Sequence, residues 1–422
     1  LKSSGDLDRF LGLETKEKTE DWDFAEEHTQ GLTHGIHPYP ARMIPQVARR
    51  LVERYSMERQ LVFDPFCGSG TVMVESILLK RNALGNDINP LAVLLAKVKT
   101  TPLDPQQLEP YVGKTLTDVR ARIERYRASK MNVDRKIEFP NIELWFKQNV
   151  IDELCLIREV VFGIDDPDVR DFFKICFSNA VRRTSNIYRE GDTFIKRMPL
   201  EALKKYNPDS YLEFKDSVIN NSNLMRDFWR VYCSLAEKPS VTIMSRDARH
   251  LSLGDLAVDA IVTSPPYGEE RNTISYTRWS KLSAFWLGYS QDDVVRGERL
   301  TLGSKKQRNG INSPILESIL RAVEKENKQL ALDAESFFID YKSSLIELYR
   351  VLKPNGYCCI VLGNRSLKKQ RVPMDKVTVD IGKDLGLKHV ITYYRNIPTK
   401  SIPWTVSKGE TIASENIIIM QK

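Results

Sequence analysis

The sequence predicts an α/β fold: a doubly wound, mostly parallel sheet interrupted by a mainly helical insertion. Three observations carry this expectation. Leu61-Val-Phe-Asp64 is a short apolar run that turns at Gly68-Ser-Gly70 and continues as a helix over Val72–Leu79. Asn82–Asp87 repeats the strand pattern and leads into a second helix that runs through Val98. This order makes successive strands parallel, because the intervening helix serves as the crossover. Strand patterns return only at Val241–Asp247 and Val258–Val262, after a long stretch with helical periodicity.

Taken in order, residues 1 to about 30 are polar and charged and read as a flexible or surface arm. Pro38 and Pro40 then force an extended path through Thr33–Arg42. A helix begins at Ile44-Pro45, with proline in its first turn and Val47, Leu51, Val52 and Tyr55 on its apolar face. After the two strand–helix units, residues 101–237 read as helices, among them Val150–Val161 and Val169–Val181. Ser290 to about Ser336 is charged and less regular, as expected of a mobile segment over a site. Phe337–Leu352 reads as an amphipathic helix, Lys353–Gly356 as a turn and Tyr357–Leu362 as a buried strand. Val390–Tyr394 and Asn416–Met420 supply two last strands. The expected organisation is a catalytic part over 1–100, an inserted helical domain over 101–237, and a second catalytic part over 238–422.

A chain of 422 residues exceeds what one compact core usually takes. No apolar run approaches the roughly 20 residues of a membrane span, and no signal-peptide pattern opens the chain. The six cysteines lack metal-ligand spacing and the five histidines are scattered, so no metal site is predicted. Reduced, buried cysteines suit a cytoplasmic protein of prokaryotic type. The net charge of +7 is compatible with a polyanionic partner without demanding one.

Two stretches carry chemistry. In Asp64-Pro-Phe-Cys-Gly-Ser-Gly-Thr71, Gly68 and Gly70 let a ligand lie against bare backbone. Asp87 ends the next strand, where a carboxylate binds ribose hydroxyls. No lysine follows Gly70, as a phosphate-cradling loop requires, and Met73 stands where a dinucleotide fingerprint has its third glycine. Asp64 at the turn would repel a pyrophosphate and hold a cationic amino group. S-adenosylmethionine meets all of these conditions. Asp247 is placed either to accept from an adenine amino group or to cap a helix. The second stretch is Thr263-Ser264-Pro265-Pro266-Tyr267-Gly268, directly after a buried strand. Its two prolines fix a stiff hook. Ser264, the freed carbonyls and the Tyr267 ring then form a grip for a flat base bearing an amino group.

These residues resemble the DNA amino-methyltransferases, whose fold is the Rossmann-like sheet of class I methyltransferases. Asp64–Gly70 resembles their cofactor motif and Thr263–Tyr267 their catalytic motif. Serine at the hook is typical of the cytosine-N4 branch, whereas adenine-N6 members usually carry Asp or Asn. His37-Pro-Tyr39-Pro40-Ala41 resembles the segment covering the methionine end of the cofactor, and the likeness continues through Tyr276–Ser283. The resemblance implies methyl transfer from S-adenosylmethionine to the N4 amino group of a cytosine flipped out of duplex DNA. It implies Ser264, Pro265, Pro266 and Tyr267 as catalytic residues. His37, Tyr39, Pro40, Asp64, Phe66, Gly68, Gly70, Thr71, Asp87, Ile88, Asp247, Ala248 and Thr263 are the candidates around the cofactor. Candidate DNA contacts are Arg182, Arg183 and Arg189 in the insertion, Arg271, Arg278 and Lys281 after the hook, and Lys305, Lys306 and Arg308 beyond. A restriction endonuclease is a possible partner, and monomer and dimer stay equally open. The alternatives are an adenine-N6 DNA enzyme, a guanine-N2 RNA enzyme, or a catalytically idle nucleic-acid-binding specificity subunit.

Overall fold

The computed structural model describes residues 20–129, 132–188, 197–269, 275–308, 311–368, 370–397 and 413–422. The first unit runs α1 (Pro45–Tyr55), β1 (Leu61–Asp64), α2 (Thr71–Leu78), β2 (Asn82–Asn86) and α3 (Pro90–Thr100). Six helices follow: α4 (Pro105–Ser129), α5 (Ile142–Trp145), α6 (Gln148–Phe162), α7 (Pro167–Thr184), α8 (Leu200–Lys205) and α9 (Ser210–Ser234). The sheet resumes with β3 (Val241–Met244) and β4 (Val258–Thr263). Next come α10 (Tyr276–Trp286), α11 (Gln291–Leu300), α12 (Pro314–Glu326) and α13 (Lys328–Val351). The chain ends with β5 (Leu352–Gly363), a small hairpin of β6 (Arg365–Leu367) and β7 (Gln370–Val372), α14 (Met374–Asp384), β8 (Lys388–Asn396) and β9 (Ser414–Gln421).

The main sheet has seven strands in the order β3-β2-β1-β4-β5-β9-β8. All neighbours from β3 to β5 are parallel, and β9 lies antiparallel between β5 and β8. The chain builds outward from β1 to β3 and then returns to place β4 on the other side of β1. The topological switch point therefore falls between β1 and β4, where doubly wound sheets bind ligands beyond the strand carboxyl ends.

Period-two burial explains why the strands are apolar throughout. Cys358, Ile360 and Leu362 of β5, with Ile418 and Met420 of β9, face a core built on α13 and α14. Cys359 and Val361, with Ile417 and Ile419, face the opposite core built on Val47, Leu51 and Val52 of α1. The helices of the 101–237 segment share a third, continuous core with α3 and α10. Trp286 of α10 packs edge-on against Phe146 and Phe177, at 5.6 and 6.0 Å between ring centres. Trp279, Phe285 and Trp286 are thus core residues of α10.

Three local expectations change. Residues 1–19 of the polar arm lie outside the described residues; from Glu20 on the arm is anchored, since Trp22 is fully buried against Tyr393 with Arg50 over its ring. Asp23 accepts from the main-chain and side-chain nitrogens of Asn396, which ties the arm to β8. Within the Ser290–Ser336 stretch, α11, α12 and the start of α13 form where the sequence predicts irregular chain, whereas the described residues of 301–313 stay outside helices and strands. Ser290 and Asp293 make a reciprocal cap on α11, and Leu316 and Val323 bury one face of α12. Lys353–Gly356 sits inside β5, where the pairing with β4 shifts register between Val258 and Ala260.

Candidate active site

An open cleft of about 1200 Å³ lies over the carboxyl ends of β1, β2, β3 and β4. Asp64 closes β1 and is held from both sides. Its Oδ1 accepts from Thr263 Oγ1 at 2.7 Å and from the Phe66 amide at 3.1 Å. Asp87 follows β2 and accepts from the amides of Gly68 (2.9 Å) and Asn89 (2.8 Å). Asp87 thereby pins the glycine turn to the start of α3.

Asn86 links three strand ends. Its amide donates to the carbonyls of Pro65 and Arg246, and its oxygen accepts from the Arg246 amide. The two glycines have different tasks. Gly68 has φ +48°, and a side chain there would press on the Tyr39 ring at 3.1 Å. Gly70, at φ +83°, faces the Ala96 backbone at 2.9 Å instead of the cleft. Its freedom lets α2 and α3 approach each other.

Burial raises the Asp64 carboxyl to about 7, with a further push from the neighbouring Asp87 charge and an opposing pull from Thr263 and Phe66. Burial also lifts Asp87 to about 6. The cleft is thus lined by two carboxylates whose ionisation costs energy until a cation or hydroxyl groups meet them.

Of the sequence-derived cofactor candidates, Tyr39, Pro40, Asp64, Phe66, Gly68, Thr71, Asp87, Ile88, Asp247 and Ala248 line the cleft, as do Ser264 and Pro266 of the hook. His37 does not. It is buried, with Nε2 against Ser178 Oγ at 2.9 Å and its ring edge toward Trp279. Burial and the nearby Arg182 charge push its pKa down to about 3, so it is a neutral strut between the Tyr39 segment and α7. Thr263 is also fully buried and acts by bracing Asp64. Between and beside Ser264 and Pro266, Pro265 is buried and Tyr267 half-buried, and the Tyr267 hydroxyl donates to Glu415 at 2.8 Å. For Asp247, burial works to raise the carboxyl, but hydrogen bonds from Arg249 outweigh it and hold the group below its ordinary range. Arg249 in turn pairs with Asp340 at 2.7 Å.

The far wall was not picked out as cofactor-binding from sequence. Tyr276, Thr277 and Ser280 of α10 face the cleft with Val294, Gly297 and Leu300 of α11. The only local signal was the resemblance through Tyr276–Ser283. Tyr39 stacks on Tyr276 at 6.0 Å, and Asn89 donates to Ser280 at 3.0 Å.

The family model for DNA methylases matches residues 10–98. A Type II methyltransferase from Kocuria varians, M.MvaI, is 32% identical over 93% of this chain and 90% of its own. The chain belongs to the N4/N6 DNA methyltransferase family. Two other relatives are also Type II methyltransferases. M.MjaII of Methanocaldococcus jannaschii is 37% identical over 21% of this chain and 18% of its own. M.BsoBI of Geobacillus stearothermophilus is 21% identical over 85% of this chain and 79% of its own.

The methyl donor of this methyltransferase is S-adenosylmethionine, and the cleft fits it. The Asp87 carboxylate suits ribose hydroxyls, and the unpaired buried charge of Asp64 suits the cationic amino-acid end. Among the described residues no group of histidine, cysteine and carboxylate side chains could hold a metal, and no helix is long and apolar enough to cross a membrane.

The raised Asp64 carboxyl makes a signed prediction. A raised pKa means the folded chain keeps a proton that the unfolded chain has released, so its stability falls as pH rises from about 4 to about 7. A cationic ligand reverses that cost. The gain in Tm with S-adenosylmethionine should therefore grow over the same window, and calorimetry near pH 7 in two buffers should show proton release on binding. Binding that is insensitive to pH between about 6 and about 8 would exclude Asp64 as the partner of the amino group.

Proposed function

We propose that this methyltransferase transfers the methyl group of S-adenosylmethionine to the N4 amino group of cytosine in duplex DNA. The observation that carries the reading is Ser264: it opens the hook after β4 and lines the same cleft as Asp64 and Asp87. The bound cofactor supplies an electrophilic methyl group on a sulfonium. The chain's task is to make the amino nitrogen, whose lone pair is conjugated into the ring, a better nucleophile. The Ser264 hydroxyl and the Pro265 carbonyl are the acceptors for its two N–H bonds, which favours a more tetrahedral nitrogen. Positioning and electrostatics account for most of the rate in this scheme. Pro265 has no N–H to compete for its neighbours' carbonyls, so the hook is stiff before substrate arrives.

The helical segment 101–237 is the proposed target-recognition part. Several candidate phosphate contacts are engaged within the protein. Arg182 lies 4.0 Å from the Trp279 ring. Arg183 pairs with Glu213, Lys281 with Glu298, Lys306 with Asp333 and Arg308 with Glu324. The exposed pairs among these are worth about 0–1 kcal/mol, so DNA phosphates can replace their acidic partners, whereas Lys306 is held by the buried Asp333. Among the described residues, Arg278 and Lys305 are exposed without an ion-pair partner and are the first candidates. Arg189 and Arg271 lie outside the described residues. Type II relatives support a restriction–modification role with a cognate endonuclease as partner, acting on DNA in the cytoplasm.

The test is product analysis. Duplex DNA methylated with labelled S-adenosylmethionine and digested to nucleosides should yield N4-methylcytosine. Label found only in N6-methyladenine, or only in N2-methylguanine with RNA as substrate, would sink the cytosine assignment. Absence of transfer by the isolated chain, restored by a second subunit, would favour a specificity subunit.

A further inference from the structure

The antiparallel strand β9 starts where the parallel strands end, so its first residues reach the catalytic edge of the sheet. Glu415 lies opposite Gly363 of β5 on one side and Arg395 of β8 on the other. Its two carboxylate oxygens are divided. Oε1 accepts from the Tyr267 hydroxyl at 2.8 Å, and Oε2 accepts from Arg395 at 3.0 Å. Arg395 is buried, only 4% exposed. Ser264 Oγ lies 3.5 Å from the Tyr267 oxygen and faces the cleft.

Donor chemistry fixes the direction of this chain. Arginine only donates, and an ionised carboxylate only accepts. Burial and the Glu415 charge push the Tyr267 phenol well above its ordinary range, so it keeps its proton and spends it on Glu415. The phenol oxygen is left as an acceptor. The Ser264 hydroxyl hydrogen is then drawn toward Tyr267, and its lone pairs are turned to the cleft.

We propose that Glu415, fixed by Arg395, is a positioning residue that sets hydrogen-bond polarity through Tyr267, so that Ser264 meets the target base as an acceptor. The inference rests on the amino-transfer reading above. The Ser264–Tyr267 distance of 3.5 Å is long for a hydrogen bond and should shorten when the base arrives, as catalytic contacts do in substrate complexes.

The experiment is a double-mutant cycle on the full chain with duplex DNA. Glu415→Gln keeps the shape, and with its amide oxygen held by the donor-only Arg395 it offers Tyr267 an N–H in place of an acceptor. Its kcat should fall about tenfold or more, equivalent to about 1.4 kcal/mol, with KM for DNA and cofactor within about twofold. In a Tyr267→Phe background the same replacement should change kcat by less than about twofold, because the link is already cut. An unchanged kcat in Glu415→Gln, or a full loss persisting in the Tyr267→Phe background, would overturn the proposal. So would a loss that follows Tm and KM, since that marks a structural role. If Glu415→Gln fails to fold, Arg395 variants enter the same cycle: Arg395→Lys, which still donates to Glu415, should keep kcat within about twofold, and Arg395→Met, which does not hold the carboxylate, should lower it as Glu415→Gln would. Product analysis of the unmodified enzyme tests the amino-transfer reading separately.

Discussion

Replacing Ser264 with alanine should lower kcat for methyl transfer by about 10²- to 10³-fold, the range for removing one preorganised hydrogen-bonding group. The Tm and the cofactor affinity should change little. Ser264 is half-buried at the cleft, and its side chain meets the Tyr267 oxygen at a long 3.5 Å, so its removal breaks only a weak internal contact. Its proposed partner is present only when a base is in place, which puts the loss in kcat and not in folding. Asp64 and Asp87 remain anchored by Thr263, Phe66, Gly68 and Asn89. Cysteine at 264 should restore little, because sulfur is a weak acceptor. The measurement is single-turnover methyl incorporation. A rate within about threefold of the unmodified enzyme would remove Ser264 from the mechanism.

Breaking the ion pair at the end of the hook should have the largest effect on stability. Glu269 and Arg365 meet in a two-bond pair, at 2.8 and 3.0 Å, with both side chains 4% exposed. Arg365 also lies against the Phe337 ring, and its Nε has no hydrogen-bond partner. Glu269→Ala leaves a buried guanidinium uncompensated and should cost about 3–5 kcal/mol. Replacing both residues with apolar side chains of similar volume, Glu269→Leu with Arg365→Met, should recover most of that loss, because neither charge then needs desolvating. The urea midpoint at constant m reads both outcomes. A single-variant cost below about 1 kcal/mol would mean that water reaches the pair. Activity of the double variant separates stability from preorganisation. If Glu269 also holds the hook rigid, the stable double variant will still lose kcat.

Several elements could be read from the chain because each is encoded within a few residues. A strand running into Gly68-Ser-Gly70 and a strand running into Pro265-Pro266 need no distant partner to declare their backbone paths. Asp87 is legible for the same reason, since the length of one helix sets its distance from the turn. The resemblance added the chemistry that geometry alone left open. His37 shows the limit of motif reading. It lies within a recognisable segment, but packing against α7 turns its ring to Ser178, and it is Tyr39, Pro40 and Ala41 that reach the cleft. Gly70 shows a second limit, because the requirement for glycine there is the closeness of α3.

The sequence by itself determined the parallel α/β order, the two loops that meet at the switch point, and the family. Those features follow from local conformational preference and period-two burial, which act over short spans. Only the tertiary structure decided that α10 and α11 wall the cleft and that the insertion shares its core with the sheet helices. It alone revealed the Arg395–Glu415–Tyr267 chain. Tyr267 and Glu415 are 148 residues apart, and what brings them together is the reversal of β9 between β5 and β8. Strand register across such distances is set by the assembled core, and no short stretch of sequence carries it.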